Sequence, residues 1–145
     1  MPPRGVVFIC LGNSCRSIMA EALARHHFQE QVTSASAGIS PLGFVARETL
    51  QVLAEITVSL AGLRSKGLED LDFSRYHWAV NLTTYDLEPL LPSTFPGRLL
   101  NRPVADPYGR SLDHYRRTRE VLQRLITQEL QPILLPAVPA GVAPA

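Results

Sequence analysis

The sequence predicts an α/β fold with three layers, in which a central four-stranded parallel sheet carries helices on both faces. Four short apolar runs have the length of buried strands, and they span residues 6–10, 32–37, 78–82 and 98–101. The segments between them are too long for hairpins, and most show apolar residues at helical spacing, which is typical of parallel β-α-β units. Ligands of such folds bind beyond the carboxyl ends of the strands.

The first strand ends at Cys10, and a short polar loop separates it from a helix predicted over residues 17–30. A loop that enters a helix N-terminus directs backbone N–H groups and the positive end of the helix dipole at one point, which favours an anion such as phosphate. The same field and the Arg16 guanidinium favour the thiolate form of Cys10, so this cysteine is a candidate nucleophile. The alternative is a structural buried cysteine with a surface arginine.

The loop has the composition that wrapping a tetrahedral anion requires. Gly12 permits close backbone approach, Asn13 tolerates the left-handed region, and Ser17 can offer its hydroxyl to the sulfur. The spacing C-x5-R places a two-pronged donor on the oxygens of the anion. The predicted phosphate-binding residues are Leu11, Gly12, Asn13, Ser14, Cys15, Arg16 and Ser17.

This stretch resembles the phosphate-binding loop of the low-molecular-weight protein phosphatases, whose signature runs C-x-G-N-x-C-R-S. The matching residues are Cys10, Gly12, Asn13, Cys15, Arg16 and Ser17. The resemblance spans roughly residues 5 to 131 and is closest to bacterial members. It implies a phosphatase domain over residues 1–135, and the Pro/Ala-rich residues 136–145 are expected to form a flexible tail.

The second strand, residues 32–37, is short and partly β-branched, and a helix follows over residues 45–56. In the resembling family a serine at the end of this strand helps hold the loop asparagine, which assigns that supporting role to Ser36. The resemblance also places Leu42 in the substrate pocket. Phe44 is either a second pocket residue or a core residue.

Residues 57–70 depart from the family pattern. Many members place a histidine just before a serine and a basic residue here, and this histidine joins the network around the loop asparagine. Gly62 and Leu63 occupy that region in this chain. We therefore expect Asn13 to rely on Ser17 and Ser36 alone.

The third and fourth strands flank a short helix predicted at residues 87–91, and the last helix begins at the N-cap Ser111. Pro132 is predicted to end this helix. Its solvated face is expected to carry four arginines: Arg116, Arg117, Arg119 and Arg124.

Asp106 is the candidate general acid, because it follows the fourth strand and lies on a different loop from the nucleophile. A positioned acid speeds departure of a phenoxide or an amine. Pro103 and Pro107 stiffen the segment. Asp106-Pro107-Tyr108 resembles the general-acid loop of the same family and implies that Tyr108 lines the pocket; the alternative is a simple turn.

The cysteine and histidine content argues against a structural metal. A zinc site needs about four ligands, whereas the two cysteines and four scattered histidines lack metal-binding spacing. We therefore predict neither a metal nor a cofactor. Cys10 and Cys15 are expected to be thiols at rest, with a reversible disulfide as a plausible protective state, and the resemblance implies the same pairing.

The net charge of +1 gives no general reason to expect nucleic acid or an anionic membrane as a partner. The apolar runs are too short to cross a bilayer, and we see no N-terminal signal segment. We expect a cytoplasmic monomer whose partner is a phosphorylated protein substrate.

The predicted activity is metal-free hydrolysis of phosphotyrosine through a phosphocysteine intermediate formed on Cys10, with Arg16 and Asp106 as the other catalytic residues. A protein-arginine phosphatase is the first alternative, because Ser14 is a small hydroxyl residue where tyrosine-specific members often carry isoleucine. An arsenate reductase that draws on an external thiol is the second alternative. A non-catalytic module that binds phosphoproteins is the third.

Overall fold

The first strand of the chain lies in the middle of a four-stranded parallel sheet, between the second strand and the third, and the fourth strand pairs with the third. The coordinates are a computed structural model and describe residues 4–136. The strands are β1 (Arg4–Cys10), β2 (Val32–Gly38), β3 (Trp78–Asn81) and β4 (Arg98–Asn101). All but the first residue of the predicted flexible tail, 136–145, lies outside the described residues.

The two faces of the sheet are buried by different kinds of element. Val6 and Phe8 of β1 point to a core shared with the long helices, whereas Val7 and Ile9 point to a smaller core on the other face. Three one-turn 3-10 helices, through their own residues or those directly beside them, contribute to the cover of that second face: Leu68–Asp70, Phe73–Arg75 and Glu88–Leu90. The predicted three-layer fold is confirmed, and its second helical layer consists of these short turns.

The long helices lie close to their predicted positions. They are α1 (Arg16–Phe28), α2 (Arg47–Glu55) and α3 (Leu112–Arg124). α1 begins without a side-chain cap, because the side chain of its N-cap residue, Cys15, accepts none of the first N–H groups of the helix. The short helix predicted at residues 87–91 is the 3-10 turn Glu88–Leu90.

The prediction that Pro132 ends the last helix is wrong. Ser111 caps α3 as predicted, because its Oγ accepts the N–H of His114. After Arg124 the chain continues through a π-helical turn, Leu125–Leu130, into α4 (Gln131–Leu134). Pro132 lies in the first turn of α4, where a residue without an N–H group is tolerated.

Arg119 does not belong to the solvated face of α3, contrary to the prediction. Only 9% of it is exposed, and Nη1 donates to the Val52 carbonyl and to Glu55, both at 2.8 Å. Arg116 contacts the same carboxylate at 2.7 Å. The Arg116 and Arg119 guanidinium groups hold the pKa of Glu55 below its ordinary value. These ion pairs join α3 to α2. Arg117 and Arg124 are exposed as predicted.

Within residues 4–136, no helix has both the length and the apolar character that crossing a bilayer requires.

Candidate active site

A cavity of about 220 Å³ opens at the carboxyl edge of the sheet, above the β1–α1 loop (residues 10–17). Residues from three separate segments line it, and they include every predicted catalytic and pocket residue: Cys10, Arg16, Leu42, Asp106 and Tyr108. The loop residues Leu11, Gly12, Ser14 and Cys15 complete the floor. Ser40 also lines the cavity, although it was not among the predicted site residues. The fold thus brings residues almost 100 positions apart to one concave site.

The backbone of the β1–α1 loop has its carbonyl groups occupied and its N–H groups free. The carbonyls of Cys10, Leu11, Gly12 and Ser14 accept N–H groups from residues 39, 40, 42 and 46, at 2.8 to 3.2 Å. No backbone N–H of residues 11–15 donates to another described residue. Asn13 adopts a φ of 46°, in the left-handed region as predicted. A run of free N–H groups in a tight loop forms a concave anion site.

The Cys10 sulfur lies at the base of the loop with one hydroxyl beside it. Its Sγ is 2.9 Å from the Ser17 Oγ, and only 2% of Cys10 is exposed. The Asn13 carboxamide donates to the same Oγ at 2.7 Å, so the hydroxyl hydrogen of Ser17 stays available for the sulfur. From this position a hydroxyl can stabilise a thiolate.

Arg16 is held by main-chain carbonyls that follow β3 and β4. Its Nη1 donates to the carbonyls of Leu82, at 3.2 Å, and Val104, at 3.1 Å. Its Nη2 lies 3.5 Å from Oδ2 of Asp106. The buried Nε has no hydrogen-bond partner among the described residues. The guanidinium is therefore fixed on one side, and it retains a free donor for a ligand in the cavity.

Asp106 and the two predicted pocket residues are more exposed than the loop. Oδ1 of Asp106 accepts the Tyr108 N–H at 3.1 Å, and 45% of its side chain is exposed. Tyr108 is 49% exposed and Leu42 is 44% exposed, both beside the cavity. Phe44 does not line the cavity, and at 51% exposure it is not a core residue either.

The support of Asn13 differs from the prediction. Its Nδ2 donates to Ser17 and, at 3.0 Å, to Ser36, as expected. Its Oδ1 accepts the backbone N–H of Lys66 at 2.8 Å. The expectation that Asn13 relies on two serines alone is therefore wrong. The third partner is a main-chain group, and no side-chain pattern in the sequence could identify it.

Three side chains around the loop were not predicted from the sequence, namely those of Glu21, Ser65 and Lys66. Ser36 donates to Oε1 of Glu21 at 2.5 Å, and Lys66 Nζ lies 3.4 Å from the Ser36 Oγ. Burial lowers the pKa of Lys66 from its ordinary value. Ser65 donates to the Gly12 carbonyl at 3.1 Å, which fastens the loop from outside. One available signal was that Lys66 is the only lysine in the chain.

Cys15 lies in the same loop as the candidate nucleophile Cys10, but its sulfur has a different environment. It is 4% exposed, and its Sγ donates to the Tyr115 hydroxyl at 3.5 Å. Burial raises the pKa of the Cys15 thiol. Both cysteines are free thiols, and the predicted reversible disulfide between Cys10 and Cys15 remains a prediction. Within residues 4–136, no group of three or more His, Cys, Asp or Glu side chains could hold a metal ion.

Comparison with known proteins agrees with this geometry. A family model described as low molecular weight phosphotyrosine protein phosphatase matches residues 5–134. The chain belongs to this family. The predicted family is thereby confirmed, and with it a hydrolase of the protein phosphatase class.

Individual proteins that are similar to this chain differ in activity. A protein-arginine-phosphatase of Bacillus subtilis is 31% identical over 141 residues, covering 85% of this chain and 92% of that protein. An arsenate reductase of Bacillus cereus is 28% identical over 116 residues, covering 79% of this chain and 85% of its own. The crystal structure of a low molecular weight protein tyrosine phosphatase from T. tengcongensis has a TM-score of 0.75 at 25% identity, covering 85% and 95% of the two chains.

Proposed function

We propose that this chain hydrolyses phosphorylated side chains of proteins through a phosphocysteine on Cys10, and that phosphoarginine is its preferred substrate. The observation that carries the proposal is the single cavity that brings together the Cys10 thiol, the Arg16 guanidinium and the Asp106 carboxyl. These are a nucleophile, a cationic group that binds the phosphoryl oxygens, and an acid. Transfer of a phosphoryl group to sulfur requires all three.

In the first step, the free N–H groups of the β1–α1 loop and Arg16 bind the phosphoryl oxygens. Arg16 exchanges its contact with Asp106 for the phosphoryl group. The Cys10 thiolate attacks phosphorus in line, and the bond from phosphorus to the substrate nitrogen or oxygen breaks. Asp106 gives its proton to the leaving atom, and a phosphocysteine remains.

In the second step, the Asp106 carboxylate takes a proton from water, and the resulting hydroxide attacks phosphorus. The phosphorus–sulfur bond breaks, phosphate leaves, and the Ser17 hydroxyl stabilises the released thiolate. The positive charge is supplied by the loop amides and Arg16, so the reaction needs no metal. Activity should therefore persist in excess EDTA, and loss of activity that Mg²⁺ or Zn²⁺ restores would contradict this mechanism.

The preference for phosphoarginine rests on Ser14. Ser14 lines the cavity, and its Oγ is buried without a hydrogen-bond partner among the described residues. An unpaired buried hydroxyl is unfavourable by about 1–3 kcal/mol. The guanidinium of a phosphoarginine carries N–H donors beside the phosphoryl group and can pair with this oxygen, whereas a phenolic leaving oxygen has none. The proposed preference for phosphoarginine reverses the preference for phosphotyrosine that was predicted from the sequence.

Phosphotyrosine remains the second candidate because of Leu42 and Tyr108. Both expose apolar surface beside the cavity, where an aromatic leaving group can stack on the Tyr108 ring. The two substrates therefore depend on different residues, which makes them separable by mutation.

A substrate panel with the purified protein tests the proposal. We expect a higher kcat/KM for a phosphoarginine peptide than for the matched phosphotyrosine peptide. Ser14→Ile should lower this ratio about tenfold or more, because it removes the acceptor and fills the space. Ser14→Ala is the matched control that removes the hydroxyl without adding bulk. A higher kcat/KM for phosphotyrosine in the native protein would contradict the substrate preference.

The third activity found among the relatives, arsenate reduction, is a further arm of the same panel. This chain has two cysteines, both before residue 16, so reduction would need an external thiol. Arsenate-dependent oxidation of added thiol, without phosphatase activity, would replace the proposed function. The expected cytoplasmic location, the monomeric state and a phosphorylated protein as partner are parts of this proposal.

A further inference from the structure

We infer that Glu21 and Lys66 form a positioning pair, which fixes the direction of the Ser36 hydroxyl and thereby the orientation of Asn13 in the β1–α1 loop. The inference rests on the proposed function, because it takes that loop as the phosphate site. The pair lies behind the cavity and contacts no substrate. It acts through two intermediate side chains.

Both charges of the pair are buried. Glu21 is 6% exposed and Lys66 is 9% exposed, and Nζ lies 3.7 Å from Oε1. Burying two charges is costly unless their geometry is well satisfied, so such a pair is weak evidence for stability and calls for another explanation. The chain contains thirteen arginines and one lysine, and that lysine is placed inside.

The ammonium group suits this position better than a guanidinium. Lys66 Nζ has three N–H groups, and three acceptors surround it: the Arg64 carbonyl at 3.0 Å, the Ser36 Oγ at 3.4 Å and the Glu21 carboxylate. A planar guanidinium spreads its donors in one plane and matches this arrangement poorly.

The Ser36 hydroxyl is fully used in this arrangement. Its single hydrogen goes to Glu21 at 2.5 Å, so its two lone pairs accept from Lys66 and from Asn13. With its hydrogen committed, Ser36 can only accept from the Asn13 carboxamide. The NH₂ side of Asn13 must therefore face Ser36, and its oxygen faces the Lys66 N–H.

The orientation of Asn13 reaches the nucleophile through one more contact. The same NH₂ group donates to Ser17, whose Oγ is 2.9 Å from the Cys10 sulfur. Asn13 also holds the left-handed turn of the loop at φ 46°, a conformation that side-chain bonds must stabilise. A free Ser36 hydroxyl could instead donate to the oxygen of a flipped carboxamide. The loop would then lose the bond to the Lys66 N–H and, with it, the alignment of its N–H groups.

The test replaces both charges at once. Glu21→Met with Lys66→Met leaves an apolar pair of similar volume, which is often neutral or stabilising for a buried ion pair. We expect a melting temperature within a few degrees of the native protein, but an affinity for inorganic phosphate about tenfold lower, as for the loss of one charge-assisted hydrogen bond. We also expect kcat for an aryl phosphate to fall by at least as much.

Two further variants test whether the Glu21–Lys66 pair acts through Ser36. Ser36→Ala keeps both charges paired and should reproduce the loss in phosphate affinity, and adding it to the Met/Met protein should cause little further loss. Arg25→Met is the matched control, because Arg25 contacts the other oxygen of Glu21 at 3.7 Å from the solvent side. Its phosphate affinity and kcat should stay within twofold of the native values.

Native phosphate affinity in either the Met/Met protein or Ser36→Ala would overturn the inference. Independent, additive losses would do the same. A native protein that binds phosphate in calorimetry but hydrolyses none of the substrates would refute the proposed function instead, while the phosphate affinities of the variants would still test the positioning pair.

Discussion

The floor of the cavity (residues 10–17) and its rim (Leu42, Asp106 and Tyr108) differ sharply in how firmly they are held. In the floor, Cys10, Asn13 and Ser17 are 2% exposed or less, and neighbouring segments fasten the loop carbonyls and the Asn13 side chain. The rim residues are between 44% and 49% exposed. The groups that would bind the phosphoryl group are thus already fixed, whereas those near the leaving group can adjust. Removing or displacing the groups of the floor should abolish chemistry, whereas changes that affect only the rim side chains should alter preference.

The largest effect should come from the floor, at the nucleophile. Cys10→Ser should lower turnover by at least about 10⁴-fold, because the serine hydroxyl is a poor nucleophile without a base beside it. Single-turnover measurements and mass spectrometry of the quenched native protein should show the phosphocysteine, and this adduct should be missing from the variant. Turnover of the variant near the native rate would contradict the role of Cys10 as the nucleophile.

The next largest effect should come from the one rim residue with a chemical role. Asp106→Asn should lower turnover of a phosphopeptide by about 10³-fold, because the amide can neither donate the proton nor activate water. With nitrophenyl phosphate, whose leaving group departs unprotonated, we expect a burst of product followed by slow turnover. Stopped-flow absorbance distinguishes the two phases. A variant that shows no burst would argue against Asp106 as the base of the second step.

A pair of glycine substitutions compares floor and rim directly. A Cβ on Gly38 would lie 2.8 Å from the Leu11 carbonyl oxygen and 2.9 Å from the Asn13 nitrogen, both in the loop backbone. A Cβ on Gly12 would lie 2.9 Å from Cγ of Leu42, at a rim side chain that can move. Displacing catalytic groups by about 1 Å can lower the rate about 100-fold. We expect that loss for Gly38→Ala and less than about tenfold for Gly12→Ala. Equal losses in kcat/KM for the two variants would contradict the expected difference between floor and rim.

The smallest effects should come from the apolar part of the rim. Tyr108→Ala and Leu42→Ala should weaken binding of a phosphotyrosine peptide about two- to tenfold, the range expected for one lost aromatic or apolar contact. The affinity for inorganic phosphate should not change, since phosphate reaches only the floor. Calorimetry with phosphate provides this comparison. A large loss of phosphate affinity would show that the rim also shapes the floor.

The floor could be predicted from the sequence because its information is local. Residues 10–17 are contiguous, each has a residue type suited to one task, and they follow an apolar strand. The positive φ of Asn13 follows from the same reasoning, as does its contact with Ser36 once the resemblance is considered. The strands and helices were placed within a few residues, because hydrophobic periodicity survives in most of them.

Two of the three errors share a different cause, which is that a distant segment supplies the missing partner. Arg119 has the helical position of a solvated residue, but Glu55 of α2 draws it inside. Lys66 supports Asn13 through a backbone N–H, which every residue other than proline possesses. Pro132 usually ends a helix, but the π-helical turn before it resets the hydrogen-bond register. Neither the two distant partners nor this change of register could be found from the local sequence pattern alone.

The place of β1 in the middle of the sheet has a consequence for synthesis on the ribosome. Cys10 is made before every segment that assembles its site: its loop is fastened by residues 36–46 and 65–66, and Arg16 is anchored at residues 82 and 104. A nascent chain therefore carries an unassembled thiol until residue 104 has left the ribosome. Catalytic competence should arise late and all at once, so that activity itself reports completed folding.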